Sequence, residues 1–372
     1  MSLATTATTQ RSEPLTREQW ESYFADDGRV LNQSEIRKRV FAGGIDPEVR
    51  KEVWFFLLGV YPFLSTTRER EVLMRTRRME YRAMKERWQE EFEPEKHDAG
   101  DSFSAADDLD PEDQFAFIQA KITAMGHQFD RQKADSSIRT IKKDVPRTDR
   151  ETEYFREDDN IHLQWLNDIL ITYAVFHEEV GYVQGMNDVL SIILPIIDDE
   201  VEAYWCFAQY LETIQADFMA TGMVQNLRTL EELVAIMDPD LRRHLIDVDA
   251  GEMIYCHSIE AERERSKERR TQRQKQLGGT ELAPQEKAEE AAGDTFETKY
   301  KFELFVCIAI LEEYRDHLMA CETMADVFQF INGLSEKMHL DTILLRSEEA
   351  FFRYCRESVH STRGADDYLL KS

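Results

Sequence analysis

Apolar residues recur three and four positions apart along most of this chain of 372 residues, and runs that alternate apolar and polar residues are scarce. That spacing places apolar side chains on one face of an α-helix, whereas a half-buried β-strand requires a period of two. The segment from Ile161 to Phe176 shows the pattern most clearly. We therefore predict an all-α fold. Further helices are predicted over 20–24, 67–91, 186–197, 204–214, 227–237 and 302–318.

Turn residues and composition divide the chain. Gly43 and Gly44 predict the end of one helix, and Asp46 followed by Pro47 predicts the N-cap and first position of the next. We predict a flexible tail over 1–19, one helical domain over 20–359 and a second tail over 360–372. Within the domain, 91–112 is acidic and predicts an exposed loop. The segment 258–297 is so poor in large apolar residues that we predict a disordered insertion.

Charge excludes one large class of partners. The chain has 73 acidic and 46 basic residues, a net charge of −27, whereas a protein that binds nucleic acid needs a basic face. Anionic membrane is disfavoured for the same reason, and the apolar runs fall short of the roughly 20 residues that span a bilayer. The five cysteines include no C-x-x-C pair, which argues against a disulfide framework or a zinc site. We predict a cytoplasmic protein without a metal site.

Basic residues are concentrated in two regions, one of which we interpret as a solvated helix face and the other as a small basic patch. Those early in the predicted helix 67–91 are interpreted as a solvated helix face. Five others, from Arg139 to Arg150, predict a small basic patch on an otherwise acidic surface. Within that patch, Pro146 disfavours a helical conformation of Val145 and predicts a loop. Thr148 and Glu151 predict a capping box that presents Arg147. By itself, an arginine on a polar loop is ordinarily only solvated.

A second short segment, residues 181–188, joins two predicted helices. Gly181 and Gly185 flank it, so Gln184 is expected on a constrained turn beside a helix N-terminus. By itself, the segment is better explained as an ordinary helix connection with Tyr182 and Met186 as core residues. The P-loop and the common hydrolase motifs are missing from the sequence.

Taken together, the two segments resemble a known family. The pattern I-x-x-D-x-x-R formed by Ile141, Asp144 and Arg147, followed by Y-x-Q-G-M over 182–186, is similar to the TBC domain of Rab GTPase-activating proteins. Residues 41–59 resemble that family's N-terminal motif, and 302–311 resemble one of its late helices. The resemblance covers roughly 20–359 and implies a multi-helix TBC-type fold. After His257 the family has apolar, aromatic-rich helices, so the polar segment is expected to replace or interrupt late core helices.

The resemblance also implies a function. Arg147 matches an arginine finger and Gln184 a glutamine finger, both supplied to the active site of a partner. Asp144 is interpreted as a supporting carboxylate that could hold either the loop or Arg147 in place by a charge-assisted hydrogen bond. The loop that carries Gln184 would be shaped by Tyr182, Gly185 and Met186.

The implied protein is a GTPase activator and not itself an enzyme. Its partner would be a Rab-family small GTPase in the GTP-bound form, and the activity would regulate vesicle trafficking. No cofactor is expected, because GTP and Mg would be bound by the partner. Membrane contact would be indirect, through that partner, at the periphery of endomembranes. The alternative is a catalytically silent TBC-like module that binds a GTPase or another protein as a scaffold.

Overall fold

The computed structural model describes residues 12–94, 110–218, 220–250, 300–334 and 338–369. Within these ranges the regular structure is helical, and β-pairing is limited to the isolated bridges Leu15 with Ile45 and Phe24 with Val30. The predicted all-α class is therefore confirmed. The chain forms two compact units, which lie within Gln10–Met219 and Ala220–Ser372. We call them the N-terminal unit and the C-terminal unit. The tail and domain limits given above stay predictions.

The N-terminal unit contains α1 Arg17–Glu21, α2 Gln33–Gly43, α3 Pro47–Leu57, α4 Thr67–Phe92, α5 Pro111–Gly126, α6 Arg131–Asp144, α7 Ile161–Phe176, α8 Met186–Ile197 and α9 Glu200–Phe218. A single 3₁₀ turn, Val145–Arg147, follows α6 directly. The first helix begins three residues before its predicted start, because the Thr16 hydroxyl and the Gln19 side chain form a capping box.

The turn residues between α2 and α3 act as predicted. Gly44 follows the last residue of α2 with φ of +82°, a conformation that favours glycine. The Asp46 carboxylate accepts a hydrogen bond of 2.9 Å from the backbone N–H of Glu48, and Pro47 is the first residue of α3. An N–H at the first position of a helix has no acceptor within the helix, so a proline there begins α3 without the loss of a hydrogen bond.

The helix α7 lies at the centre of the N-terminal unit. Leu166, Ile169 and Ile171 are fully buried, although they point in different directions around the helix. The helix contacts α4, α6, α8 and α9, and a helix that is apolar on all sides is stable only in such an interior position. Each of these side chains contributes about 1.5–3 kcal/mol by burial. Trp88 of α4 is also buried, and its indole N–H donates to Thr172 of α7 at 2.8 Å.

The interpretation of the early basic residues of α4 as a solvated face is wrong for Arg70 and Arg77, although Arg68 and Arg78 are exposed. Arg70 lies over the ring of Phe56 at 5.2 Å, and Arg77 lies over Trp205 at 4.8 Å. Burial lowers the pKa of both guanidinium groups from their usual value. Long basic side chains bury their aliphatic stems against rings when the neighbouring elements supply them, and a local sequence pattern does not contain those neighbours.

The C-terminal unit contains α10 Ala220–Met237, α11 Pro239–Asp247, α12 Phe302–Glu313, α13 Arg315–Met319, α14 Met324–Asn332 and α15 Leu340–Leu369. The single helix predicted over 302–318 is thus two helices, with the break at Tyr314. Leu233, Leu241 and Phe305 are fully buried in the core of this unit. The carboxylate of Asp238 caps α11 and pairs with Arg315 at 2.6 Å.

Two segments singled out in the sequence fall largely outside the described residues. The polar segment 258–297 lies entirely outside them. Of the acidic segment 91–112, the described ends are helical, because α4 continues through Phe92 and α5 begins at Pro111. In the part of the chain that the structure describes, no helix is long and apolar enough to cross a membrane.

Candidate functional site

Arg147 ends the 3₁₀ turn that follows α6, which we call the arginine turn. The prediction of a loop at this position is wrong, since Val145 is helical with φ −52° and ψ −47°. Pro146 lies in the first turn of the 3₁₀ helix, where its missing N–H removes no hydrogen bond. The predicted capping box is absent too: the Thr148 hydroxyl donates to the carbonyl of Asp144 at 2.9 Å. The hydroxyl therefore closes the end of α6 and does not start a new helix.

The side chain of Arg147 is 64% exposed, and its carboxylate partner Asp144 is 5% exposed. One terminal nitrogen of the guanidinium donates to Asp144 Oδ1 at 2.6 Å. The predicted charge-assisted hydrogen bond between these two residues is therefore present. A buried anchor fixes one end of the guanidinium, while most of the side chain faces solvent.

Gln184 lies on a second turn, residues 181–185, which we call the glutamine turn. Gly181 and Gly185 have φ of +64° and +102°, values that a residue with a Cβ adopts only with strain. Gly185 is the N-cap of α8, and Met186 behind it is fully buried. The Gln184 side chain is exposed. Buried Met186 and the constrained glycine thus present an exposed amide at the start of α8.

Hydrogen bonds join the two turns. The Tyr182 hydroxyl lies 2.9 Å from Asp144 Oδ2 and 3.0 Å from Asn187 Oδ1. It has one proton, and the ionised carboxylate is the stronger acceptor, so we assign the donation to Asp144. Asn187 also reaches Thr148, the residue directly after the arginine turn, at 3.0 Å. The structure therefore brings together Asp144, Arg147 and the glutamine turn, as the two sequence motifs suggest.

Sequence reasoning missed Asn187 and Thr148 as partners within this network. Asn187 follows Gly185 by two positions, and an amide in the first turn of a helix is ordinarily interpreted as a cap or a surface residue. The sequence offers one signal: the Asn187 amide can both donate and accept a hydrogen bond, and it directly follows the turn that Gly181 and Gly185 flank. Its actual partner, Thr148, lies 39 positions earlier in the chain.

Three carboxylates lie close to the arginine turn. The pKa of Asp188 is raised, chiefly by burial and then by the negative charges of Asp149 and Asp144. The pKa of Tyr182 is raised as well, by burial first and then by its hydrogen bond to Asp144. Tyr182 therefore keeps its proton and remains a donor at neutral pH.

The basic patch around Arg147 carries less free charge than the sequence predicts. Arg139 pairs with Asp135 at 2.5 Å, Lys142 with Glu93 at 2.6 Å, and Arg150 with Asp158. Ion pairs, one within α6 and two to carboxylates outside it, thus neutralise most of the patch. Across the described ranges, no group of three or more His, Cys, Asp or Glu residues is placed to hold a metal ion.

The part of the chain that contains both turns matches one class of domain. The family model of the Rab-GTPase-TBC domain matches residues 47–259, more than half of the chain and both turns. The chain belongs to this family. The match ends where the polar segment begins.

Two relatives illustrate the similarity. The chain is 29% identical over 367 residues to a protein of Yarrowia lipolytica named GTPase-activating protein GYP7, an alignment that covers 93% of this chain and 45% of that protein. It is 33% identical over 251 residues to human TBC1 domain family member 17, which covers 67% of this chain and 34% of that protein. The chain thus spans less than half the length of these two relatives.

A solved structure supports the fold. The crystal structure of the Ypt/Rab-GAP domain of Gyp1p matches with a TM-score of 0.57 and 19% sequence identity, over 90% of this chain and 96% of that chain. At this identity the likeness shows the fold alone, which is the all-α fold described above.

Proposed function

We propose that this chain is a GTPase-activating protein for a Rab-family small GTPase in its GTP-bound form. Family membership supports this proposal, and so do relatives that are named GTPase-activating proteins. The observation that carries it is the arrangement of two exposed side chains. Arg147 and Gln184 lie on two turns that the hydrogen bond between Asp144 and Tyr182 joins.

The arginine would act as a finger in trans. In GTP hydrolysis, negative charge spreads over the phosphoryl oxygens in the transition state, and a guanidinium placed there stabilises it. Because the side chain of Arg147 is 64% exposed, solvent screens its ion pair with Asp144, which contributes no more than about 1 kcal/mol. The pair is therefore strong enough to limit the rotamers of the arginine and weak enough to yield to a triphosphate.

The glutamine would orient water. A primary amide both donates and accepts, so it can hold the attacking water in line with the bond that breaks. Gln184 meets this requirement, because its side chain is exposed on a turn anchored by Gly185 and Met186. In this mechanism Tyr182 and Asp144 are positioning residues, since they hold the turns and not the substrate.

The remaining parts of the reaction belong to the partner. GTP and Mg²⁺ would be bound by the GTPase, so this chain needs no cofactor and acts on an active site that is not its own. Through that activity the protein would regulate vesicle trafficking. We place it in the cytoplasm at the periphery of endomembranes, with membrane contact made through the partner.

The test is single-turnover GTP hydrolysis across a panel of Rab-family GTPases. An arginine finger contributes about 10³–10⁵ in turnover, so we expect Arg147→Ala to remove most of the acceleration. Gln184→Ala should lower it as well. Arg139→Ala is a matched control, because Arg139 is 67% exposed and also pairs with an aspartate, on α6. Gln132→Ala, at an exposed glutamine of α6, is the control for the amide.

Two outcomes would contradict the proposal. Acceleration that survives both Arg147→Ala and Gln184→Ala would refute the finger assignment. Binding to a GTP-loaded GTPase without any faster release of phosphate would instead support the alternative, a catalytically silent scaffold.

A further inference from the structure

We propose that Asn187 is a positioning residue that locks the arginine turn to the glutamine turn, and that it does so through Thr148. This inference deepens the proposed function and rests on it. Asn187 is 6% exposed and Thr148 is 3% exposed, so neither side chain is placed to touch a partner directly.

The orientation of the Asn187 amide is set by its neighbours. Its oxygen accepts from the backbone N–H of Gly185 at 3.1 Å, and a backbone N–H can only donate. Its nitrogen lies 2.7 Å from a carboxylate oxygen of Asp188, which can only accept when ionised. The second N–H therefore points along the 3.0 Å contact to the Thr148 hydroxyl.

Thr148 passes the connection on to the arginine turn. Its hydroxyl accepts from Asn187 and donates to the carbonyl of Asp144 at 2.9 Å. The direction of every bond is thus the same, from the Gly185 N–H end to the Asp144 carbonyl. We call this chain of bonds the amide link. Because the site is buried, a group that loses its partner here loses a hydrogen bond that water does not replace.

The amide link differs in its consequence from the bond between Tyr182 and Asp144. A single hydrogen bond between two turns restrains their separation more than their relative orientation. A second bond at another point restrains that orientation, and with it the direction in which each exposed side chain points. Rates of enzymatic reactions respond steeply to such direction, since a misplacement of 1 Å can cost about 100-fold.

Substitutions of nearly equal shape test the link. Asn187→Asp keeps an oxygen for the Gly185 N–H, removes the donor to Thr148 and adds a negative charge beside Asp188. Thr148→Val removes the hydroxyl at nearly constant volume, whereas Thr148→Ser retains it. We expect Asn187→Asp and Thr148→Val to lower the saturated rate of stimulated hydrolysis about 10–100-fold. The half-saturating concentration should change little, and Thr148→Ser should stay near wild type.

A variant that only destabilises the unit provides the control. Thr66→Ala removes the capping box of α4, which lowers stability without touching either turn, and it should leave the saturated rate unchanged. A double-mutant cycle separates positioning from packing. In the Arg147→Ala, Gln184→Ala background, Asn187→Asp should cause no further loss, because the side chains it positions are gone.

Hydrogen exchange gives a readout that needs no GTPase. The backbone N–H of Thr148 donates to the carbonyl of Val145 at 3.2 Å. We expect this N–H to exchange about five- to tenfold faster in Asn187→Asp, because a change of that size corresponds to the loss of about one hydrogen bond. If wild type accelerates no GTPase while this change is seen, the proposed function fails and the link between the turns stands. Unchanged exchange, a wild-type rate in Asn187→Asp, or equal rates in Thr148→Val and Thr148→Ser would overturn the inference.

Discussion

Replacing Tyr182 with phenylalanine tests the hydrogen bond that joins the two turns. The substitution removes one hydroxyl and leaves the ring in place. Asp144 then loses its donor at Oδ2, 2.9 Å away, while its other oxygen keeps Arg147. A hydrogen bond to a charged group contributes about 1.5–3 kcal/mol. Because Tyr182 is only half-buried, we expect the lower end, a loss of about 1.5 kcal/mol in the free energy of unfolding.

Tyr204→Phe is the matched control. Tyr204 is fully buried, and its hydroxyl lies 3.8 Å from the sulfur of Met84, a weak acceptor. Removing that hydroxyl should cost less than about 0.5 kcal/mol, the lower limit for a neutral hydrogen bond. The two variants lose the same atom in the same unit. Their difference therefore measures what the Asp144 carboxylate adds.

Tryptophan fluorescence during urea unfolding is the appropriate assay. All five tryptophans of the chain, at positions 20, 54, 88, 165 and 205, belong to the N-terminal unit. The signal therefore reports this unit and is not mixed with unfolding elsewhere in the chain. Equal midpoints for Tyr182→Phe and Tyr204→Phe, with equal slopes, would refute the reasoning, because they would show that the carboxylate does not stabilise the hydroxyl.

The same measurement checks two other expectations. Gly185→Ala should lower the free energy of unfolding by about 1–2 kcal/mol, which is the strain of a positive φ alone, since no atom lies within 4 Å of the added Cβ. Gly28→Ala should lower it more, because its Cβ would also overlap the Thr67 hydroxyl. Equal losses in the two variants would contradict this ranking. Burial raises the pKa of Tyr173 to about 12, so above pH 10 the unfolded chain releases a proton that the folded chain keeps. The free energy of unfolding should therefore fall between pH 10 and pH 12. Tyr173→Phe should reduce the slope of this fall by at most about 1.4 kcal/mol per pH unit. An unchanged slope would argue against the raised pKa of Tyr173.

Local chemistry explains why so much of the fold could be predicted from the sequence. The helix Ile161–Phe176 has the predicted limits, and so does Met186–Ile197. Asp46 and Pro47 start α3 as expected. These features depend on residues within one or two turns of each other, where periodicity and capping operate. The two motifs likewise identify Asp144, Arg147 and Tyr182, which the structure brings into contact.

Errors occurred where tertiary contacts compete with local preference. Pro146 disfavours a helical Val145 in isolation, yet Val145 is buried against the core and the turn is helical. Arg70 and Arg77 look like solvent-facing residues of a basic helix, but aromatic rings from other elements cover them. In each case the decisive neighbour lies outside the local pattern.

The sequence by itself determined the helical class, the limits of helices such as α7 and α8, and the residues that carry the family resemblance. Only the tertiary structure decided how the two turns are joined. Asn187 and Thr148 are 39 positions apart, and no periodic pattern in the sequence connects them. They meet because α6 and α8 both pack beside α7. A hydrogen bond between such distant residues depends on the packing of whole helices, and that packing is settled by the buried apolar faces and not by the polar residues that the packing brings together.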